Sequence, residues 1–284
     1  MLTGESTTES TELAAHPVWG AEAAAGPFAV LGDDAVSSGL HFLRVEGMRT
    51  LLTPGMLAVG GALADAVARR RFLCVLGDAG IGKTFAVHAA SRRLGEPGQL
   101  LPLQFRAQPV PADLRSALHR ALALPGEAPA DPGAADTLIR HALAGRPRIV
   151  VVEDAHRLSA SCMEYLRFLH DGVPGGLCVV LVAARRGERR LRAQRMLATR
   201  TAGWLRLESL TRDQIPLAVP ALHPVWEGVD PSDLMALDAR LAGGALRRWA
   251  VITHHTRQVM ARTQAAVPDG RLLEAVADRI DGGR

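Results

Sequence analysis

The sequence predicts an α/β fold, a parallel sheet flanked by helices, followed by a small all-helical unit at the C-terminus. Three observations carry this expectation. Short apolar runs alternate with helix-patterned stretches through the middle of the chain. One of those runs, Phe72 to Leu76, leads directly into Gly77-Asp78-Ala79-Gly80-Ile81-Gly82-Lys83-Thr84, a complete G-x-x-x-x-G-K-T phosphate loop. After Leu210 only helical patterns remain.

Taken in order, residues 1–45 read as a flexible arm, Ser/Thr/Glu-rich and then Ala/Gly-rich. From His41 to Thr53 the chain reads as an extended lead-in. Pro54 opens an amphipathic helix to about Arg70, with Leu57, Leu63, Ala64 and Val67 near helical spacing. Thr84 begins a helix through Leu94, bounded by Gly95, Pro97 and Gly98. A second strand spans Leu100 to Phe105, and a helix spans Ala112 to Leu122. Pro125 to Gly133 is a linker, and Ala134 to Ala144 is helical. Arg148 to Val152 is a third strand, with a helix from Ser159 to His170. The Gly175-Gly176 turn precedes a fourth strand, Leu177 to Ala183. A helix over Leu191 to Leu197 and a short strand at Trp204 to Leu207 complete a core of residues 46–210. Residues 211–284 form the helical lid: Thr211 caps its first helix, Asp230-Pro231 starts another, Gly243-Gly244 interrupts it, and Asp269 to Ile280 closes the chain.

Composition narrows the class. The net charge is +4 and aromatic residues are only 4% of the 284, so small aliphatic side chains fill the core. A mildly basic balance is compatible with an acidic polymer as partner, and equally with a solvated arginine-rich surface. Cys74, Cys162 and Cys178 have neither C-x-x-C nor zinc-like spacing and read as core residues in a reducing compartment. His254-His255 has no third metal-type partner at suitable spacing. No apolar run reaches the ~18 residues of a membrane span. The N-terminus lacks a secretory pattern, so a cytoplasmic protein is expected.

Lys83 is the only lysine; the other 32 of the 33 basic residues are arginine. The phosphate loop requires a compact ammonium on a thin stem between the β- and γ-phosphates, where a planar guanidinium is too wide. Backbone N–H groups from Asp78 to Thr84 should cradle phosphate oxygens at a helix N-terminus, and the Thr84 hydroxyl should bind Mg²⁺. About seventy residues on, Ile149-Val150-Val151-Val152 ends in Glu153-Asp154, an apolar strand delivering two carboxylates. One should hold the metal shell, which assigns Glu153, and the next should polarise the attacking water, which assigns Asp154. The more usual order is Asp then Glu. The alternative for the pair is a surface acidic strand end.

The run Val150 to Leu158, V-V-V-E-D-A-H-R-L, is similar to the D-E-A-H-x-L stretch of AAA+ ATPases. More narrowly the chain resembles the TniB/MuB-like transposition ATPases and the related ExeA-type ATPases, over about residues 45–260. The resemblance extends to the L-x-L-x-x-L-T segment at 205–211 and to G-G-A-L-R-R at 243–248, which looks like a sensor 2 stretch. It implies an AAA+-type core with a helical lid, ATP and Mg²⁺ as cofactors, and assembly with copies of itself. Arg247 should then reach the γ-phosphate from the lid, with Arg248 able to exchange roles. Arg200 matches the place of an arginine finger presented to a neighbouring subunit, with Arg195 as competitor.

The chain departs from the family at sensor 1. A polar residue, often Asn, usually ends the fourth strand; here Val182-Ala183-Ala184-Arg185 stands there, and the sequence has no Asn. Either an arginine substitutes or the group is missing, and slow, partner-stimulated turnover is expected. Arg185 to Arg192 holds five arginines in eight residues, which either line a DNA-facing groove or form a solvated loop. The resemblance implies an ATP-loaded oligomer on double-stranded DNA that directs or activates a transposase, with no membrane partner. The alternative is a nucleotide-gated regulatory or scaffold ATPase, STAND- or ExeA-like, that does not bind DNA.

Overall fold

The computed structural model describes residues 24–25, 27–31, 45–95, 99–105 and 107–282. Most of the predicted arm, residues 41–44 of the lead-in, and the helix-stop residues Pro97 and Gly98 lie outside the described residues. Within the arm, Ala24–Ala25 (β1) and Phe28–Leu31 (β2) are strands, not flexible chain. They form an antiparallel three-stranded sheet with Thr50–Leu52 (β3), Val30 standing opposite Leu51. The reason is the buried Phe28 ring, which joins the core of the C-terminal helices and anchors the segment there.

Pro54–Ala68 (α1) starts on an N-cap: the Thr53 hydroxyl accepts from the Met56 N–H at 3.3 Å. Phe72–Gly77 (β4) leads to Lys83–Leu94 (α2), followed by Leu100–Leu103 (β5), Pro111–Ala121 (α3) and Pro132–Ala144 (α4). Ile149–Val152 (β6), Ala160–Gly172 (α5) and Cys178–Ala184 (β7) come next. The single helix expected near residues 191–197 is two short ones, Glu188–Arg192 (α6) and Arg195–Arg200 (α7). Thr201–Arg206 (β8) is the last strand.

The five strands β4 to β8 make one parallel sheet in the order β5-β6-β7-β4-β8. Strands β4, β6 and β7 are apolar on both faces because helices cover both. One face packs on Leu114, Leu118, Met163 and Leu166, and the other on Met56, Leu63, Val87 and Ala90. The three cysteines are buried and free. Parallel pairing brings the C-terminal ends of β4, β6 and β7 to one edge of the sheet, where such folds hold ligands.

After β8 the described chain is helical: Ile215–Leu222 (α8), Pro231–Leu237 (α9), Leu246–Thr263 (α10) and Gly270–Asp281 (α11). Their core is centred on Trp226 and Trp249, packed edge to face at 5.4 Å. Between α9 and α10 the chain widens into a π-helical turn at Asp238–Ala242 and then makes the Gly243-Gly244 turn. No helix among the described residues is long and apolar enough to cross a membrane.

Candidate nucleotide-binding site

The phosphate loop turns from β4 into α2 through glycines at positive φ: Gly77 at 152°, Gly80 at 82° and Gly82 at 95°. At Gly77 a side chain would also meet the Leu207 carbonyl oxygen at 2.6 Å, and at Gly82 it would overlap the Met56 methyl. These glycines therefore answer to backbone conformation and to close approach together. Lys83 is the first residue of α2, and its ammonium donates to the Asp78 carbonyl at 2.6 Å. Burial lowers the Lys83 pKa; Asp78, Glu153 and Asp154 oppose that shift, and Arg247 adds to it. The lysine thus sits where carboxylates and a second cation converge.

A cleft of about 820 Å³ opens over the loop. Asp78, Ala79, Gly80, Gly82, Lys83 and Thr84 line its floor, with Glu153 and Asp154 from the end of β6. Ile81 is instead turned into the core, 3% exposed, and closes the loop from beneath. Met48, Arg49, Thr50 and Leu222 form a wall that the motifs do not reveal. At about 820 Å³ the cleft is within the range of small-molecule sites.

Glu153 and Asp154 diverge. The Thr84 hydroxyl donates to Glu153 Oε2 at 2.6 Å. Glu153 Oε1 is buried without a hydrogen bond, 3.7 Å from His88 Nε2, which is likewise without one. Thr84 and His88 are one turn apart on α2 and flank the carboxylate. Hard oxygen donors from Thr84 and Glu153, one carboxylate oxygen lacking a hydrogen bond, suit Mg²⁺. Asp154 takes a left-handed conformation, φ 49°, and turns its exposed side chain into the same cleft. The strand end therefore splits the pair between an inner and an outer position.

The lid reaches the loop through its backbone: Arg247 N–H donates to the Gly80 carbonyl at 2.9 Å, and the Arg247 side chain lines the cleft. The Arg248 guanidinium instead donates to the Leu241 carbonyl at 2.7 Å. At the sensor 1 position Val182, Ala183 and Ala184 line the cleft without a polar side chain. Two polar groups stand nearby, Arg186 beyond β7 and Gln104 beyond β5. His156 accepts weakly from the Ala184 N–H at 3.5 Å, and burial, followed by Arg186 among nearby arginines, lowers its pKa against the pull of Asp154.

Arg200 lies away from this cleft. Its Nε and Nη2 each donate to the Asp171 carboxylate at 2.8 Å. Arg167 and His170 also contact that carboxylate, and Arg200 foremost holds its pKa well below the usual range. Arg195 is exposed. In the arginine run, Arg190 turns inward to the Leu158 carbonyl at 2.9 Å and Arg192 pairs with Glu188 at 2.7 Å, so the run is not a uniform outward face.

Sheet order, loop and helical C-terminal region together define a P-loop AAA+ fold. A family profile described as an AAA domain matches residues 67–191. The structure is similar to the Thermotoga maritima RuvB Holliday junction branch migration motor, with 14% identity and a TM-score of 0.55, covering 79% of this chain and 67% of that one. It is also similar to Drosophila ORC bound to DNA, with 15% identity and a TM-score of 0.57, covering 98% and 70%. A Walker-type ATPase of Pyrococcus abyssi matches at 12% identity and a TM-score of 0.51, covering 80% and 71%. The chain thus spans about two thirds of the length of these structures. No curated protein matches the sequence.

Proposed function

We propose that the chain is an ATP-binding AAA+ ATPase that assembles with copies of itself on double-stranded DNA and directs or activates a transposase. The observation that carries the nucleotide reading is the Thr84–Glu153 contact of 2.6 Å across the cleft that holds Lys83. Loop N–H groups and Lys83 bind and orient the triphosphate. Thr84 and Glu153 would hold Mg²⁺, which would supply charge neutralisation at the triphosphate. Asp154 accepts a proton from the attacking water, and Arg247 fixes the γ-phosphate from the lid. With no polar side chain at the end of β7, water is poorly oriented in the isolated chain, which supports slow turnover awaiting a partner.

DNA as partner is supported by the arginine-rich surface beside the cleft, and by folds shared with RuvB and with ORC bound to DNA. The transposase rests on the V-V-V-E-D-A-H-R-L stretch and its likeness to transposition ATPases. The test is duplex binding with and without a non-hydrolysable ATP analogue across a salt series. Nucleotide-dependent, sequence-tolerant, salt-sensitive binding is the expected result. An ATP-loaded chain that ignores DNA would favour the regulatory ATPase instead.

A further inference from the structure

A second, shallow and open depression of about 450 Å³ adjoins the nucleotide cleft, lined by Arg185, Arg186, Glu188, Arg189, Arg192 and Arg206. Five guanidiniums there face one carboxylate. Arg206 lies outside the arginine run; it arrives from β8, where it stands opposite Leu76 of β4. It grips Glu188 as a fork, Nε to Oε2 at 2.9 Å and Nη2 to Oε1 at 2.6 Å. Arg192 adds Nε to Oε1 at 2.7 Å, its guanidinium resting 4.3 Å from the centroid of the Trp204 ring. Arg206 first and then Arg192 hold the Glu188 pKa down at about 2.

Glu188 lies at the bottom: its side chain is 12% exposed, against 48% for Arg192 and 54% for Arg206. Glu208 pairs with Arg185 at 2.9 Å. The side chains of Arg186 and Arg189 make no hydrogen bond or ion pair among the described residues. The guanidinium forks are therefore already arranged around an oxyanion, with positive charge left over above it.

We propose that this cleft is a binding site for the phosphodiester backbone of DNA, and that Glu188 is a built-in occupant which a DNA phosphate displaces. The proposal rests on the DNA-binding reading above and deepens it. A fork that holds a carboxylate through two parallel N–H bonds fits two phosphate oxygens equally well. Exchanging one anion for another keeps both guanidiniums paired. A duplex presents a charge every ~1.7 Å of its axis and can satisfy Arg186 and Arg189 as well as the forks. An acidic peptide would have to order several side chains to do the same.

The test is duplex affinity against salt for the parent, Glu188→Gln, Arg206→Ala and Arg189→Ala. Glu188→Gln should bind several-fold more tightly, with a log–log salt slope steeper by up to two contacts at about 0.9 each. Arg206→Ala and Arg189→Ala should each flatten the slope by about 0.9. The Arg189 side chain makes no hydrogen bond or ion pair among the described residues, so its variant carries the test even if Glu188→Gln fails to fold. A folded Glu188→Gln with unchanged or weaker affinity, or an unchanged slope in Arg189→Ala, overturns the proposal. A poly-glutamate peptide that binds Glu188→Gln more tightly than the duplex makes the cleft an acidic-protein site and also overturns it. A parent that binds no duplex at any salt fails at the earlier step, the DNA reading itself.

Discussion

The Lys83 ammonium bonds the Asp78 carbonyl, which folds its stem over the loop. No second lysine exists to take its place. Lys83→Ala should lower ATP affinity by at least about tenfold, the loss of one charge-assisted contact of ~1.5–3 kcal/mol. Lys83→Arg should fail as badly, because the guanidinium does not fit; parent-like affinity of both variants by calorimetry would refute this. The neighbouring carboxylates should separate cleanly. Asp154→Asn keeps ATP binding and loses hydrolysis, whereas Glu153→Gln loses the Mg²⁺ dependence of affinity, because only Glu153 touches Thr84. Normal single-turnover hydrolysis by Asp154→Asn would reverse the roles. These residues were legible in the sequence because loop and strand end are local motifs. His88 and Gln104 were not, since each reaches the site from outside any motif.

Among the elements, the turn before α10 shows why a sequence pattern can be seen and yet not explained. Gly243-Gly244 reads as a helix interruption. Structurally it is a clasp: the buried Asp238 carboxylate accepts from Gly244 N–H at 2.9 and 3.1 Å and from Trp249 Nε1 at 2.9 Å. Gly244 in turn accepts from Leu210 N–H at 3.0 Å, and three residues on Arg247 bonds Gly80. A side chain at Gly244 would meet Leu210 backbone at a φ of 73°. The clasp thus sets where the lid meets the loop. Asp238→Ala should cost about 2–4 kcal/mol, since it strands two buried donors. It should also weaken nucleotide affinity, though Asp238 touches no part of the cleft. Asp238→Asn, which keeps one acceptor oxygen, should recover part of both. Denaturant melts paired with nucleotide titrations decide it; a loss of stability with unaltered affinity would make the clasp purely structural. The strands at Ala24–Leu31 escaped the sequence reading for a related reason: their pairing partner, β3, is about twenty residues away, and the helices that bury Phe28 lie far beyond it.

At the scale of the whole molecule, strand order explains why the cleft lacks a polar side chain at the end of β7. Strand β7 lies between β4 and β6 and contributes only Val182, Ala183 and Ala184 to the cleft. Arg186, just beyond β7, lines the cleft, whereas no arginine of α6 or α7 does. Arg200 is clamped to Asp171, so employing it on a neighbour's nucleotide would first break a bidentate pair. Arg195, at the start of α7, carries no such restraint among the described residues. If hydrolysis needs an arginine from the next subunit, specific activity should rise with protein concentration, and loss of that arginine should cost on the order of 10³-fold. Mixing resolves which arginine it is. Asp154→Asn subunits lack the water-activating group but keep the finger; finger variants lack the finger but keep the carboxylate. A mixture of Asp154→Asn with Arg200→Ala, or with Arg195→Ala, should regain activity only when the substituted arginine is the finger. The other arginine variant should be active alone. Arg200→Ala should in addition lower thermal stability by freeing Asp171, whereas Arg195→Ala should not. If neither mixture regains activity while both single arginine variants stay fully active, no arginine of α7 acts on a neighbour, and hydrolysis is confined to the residues of one cleft.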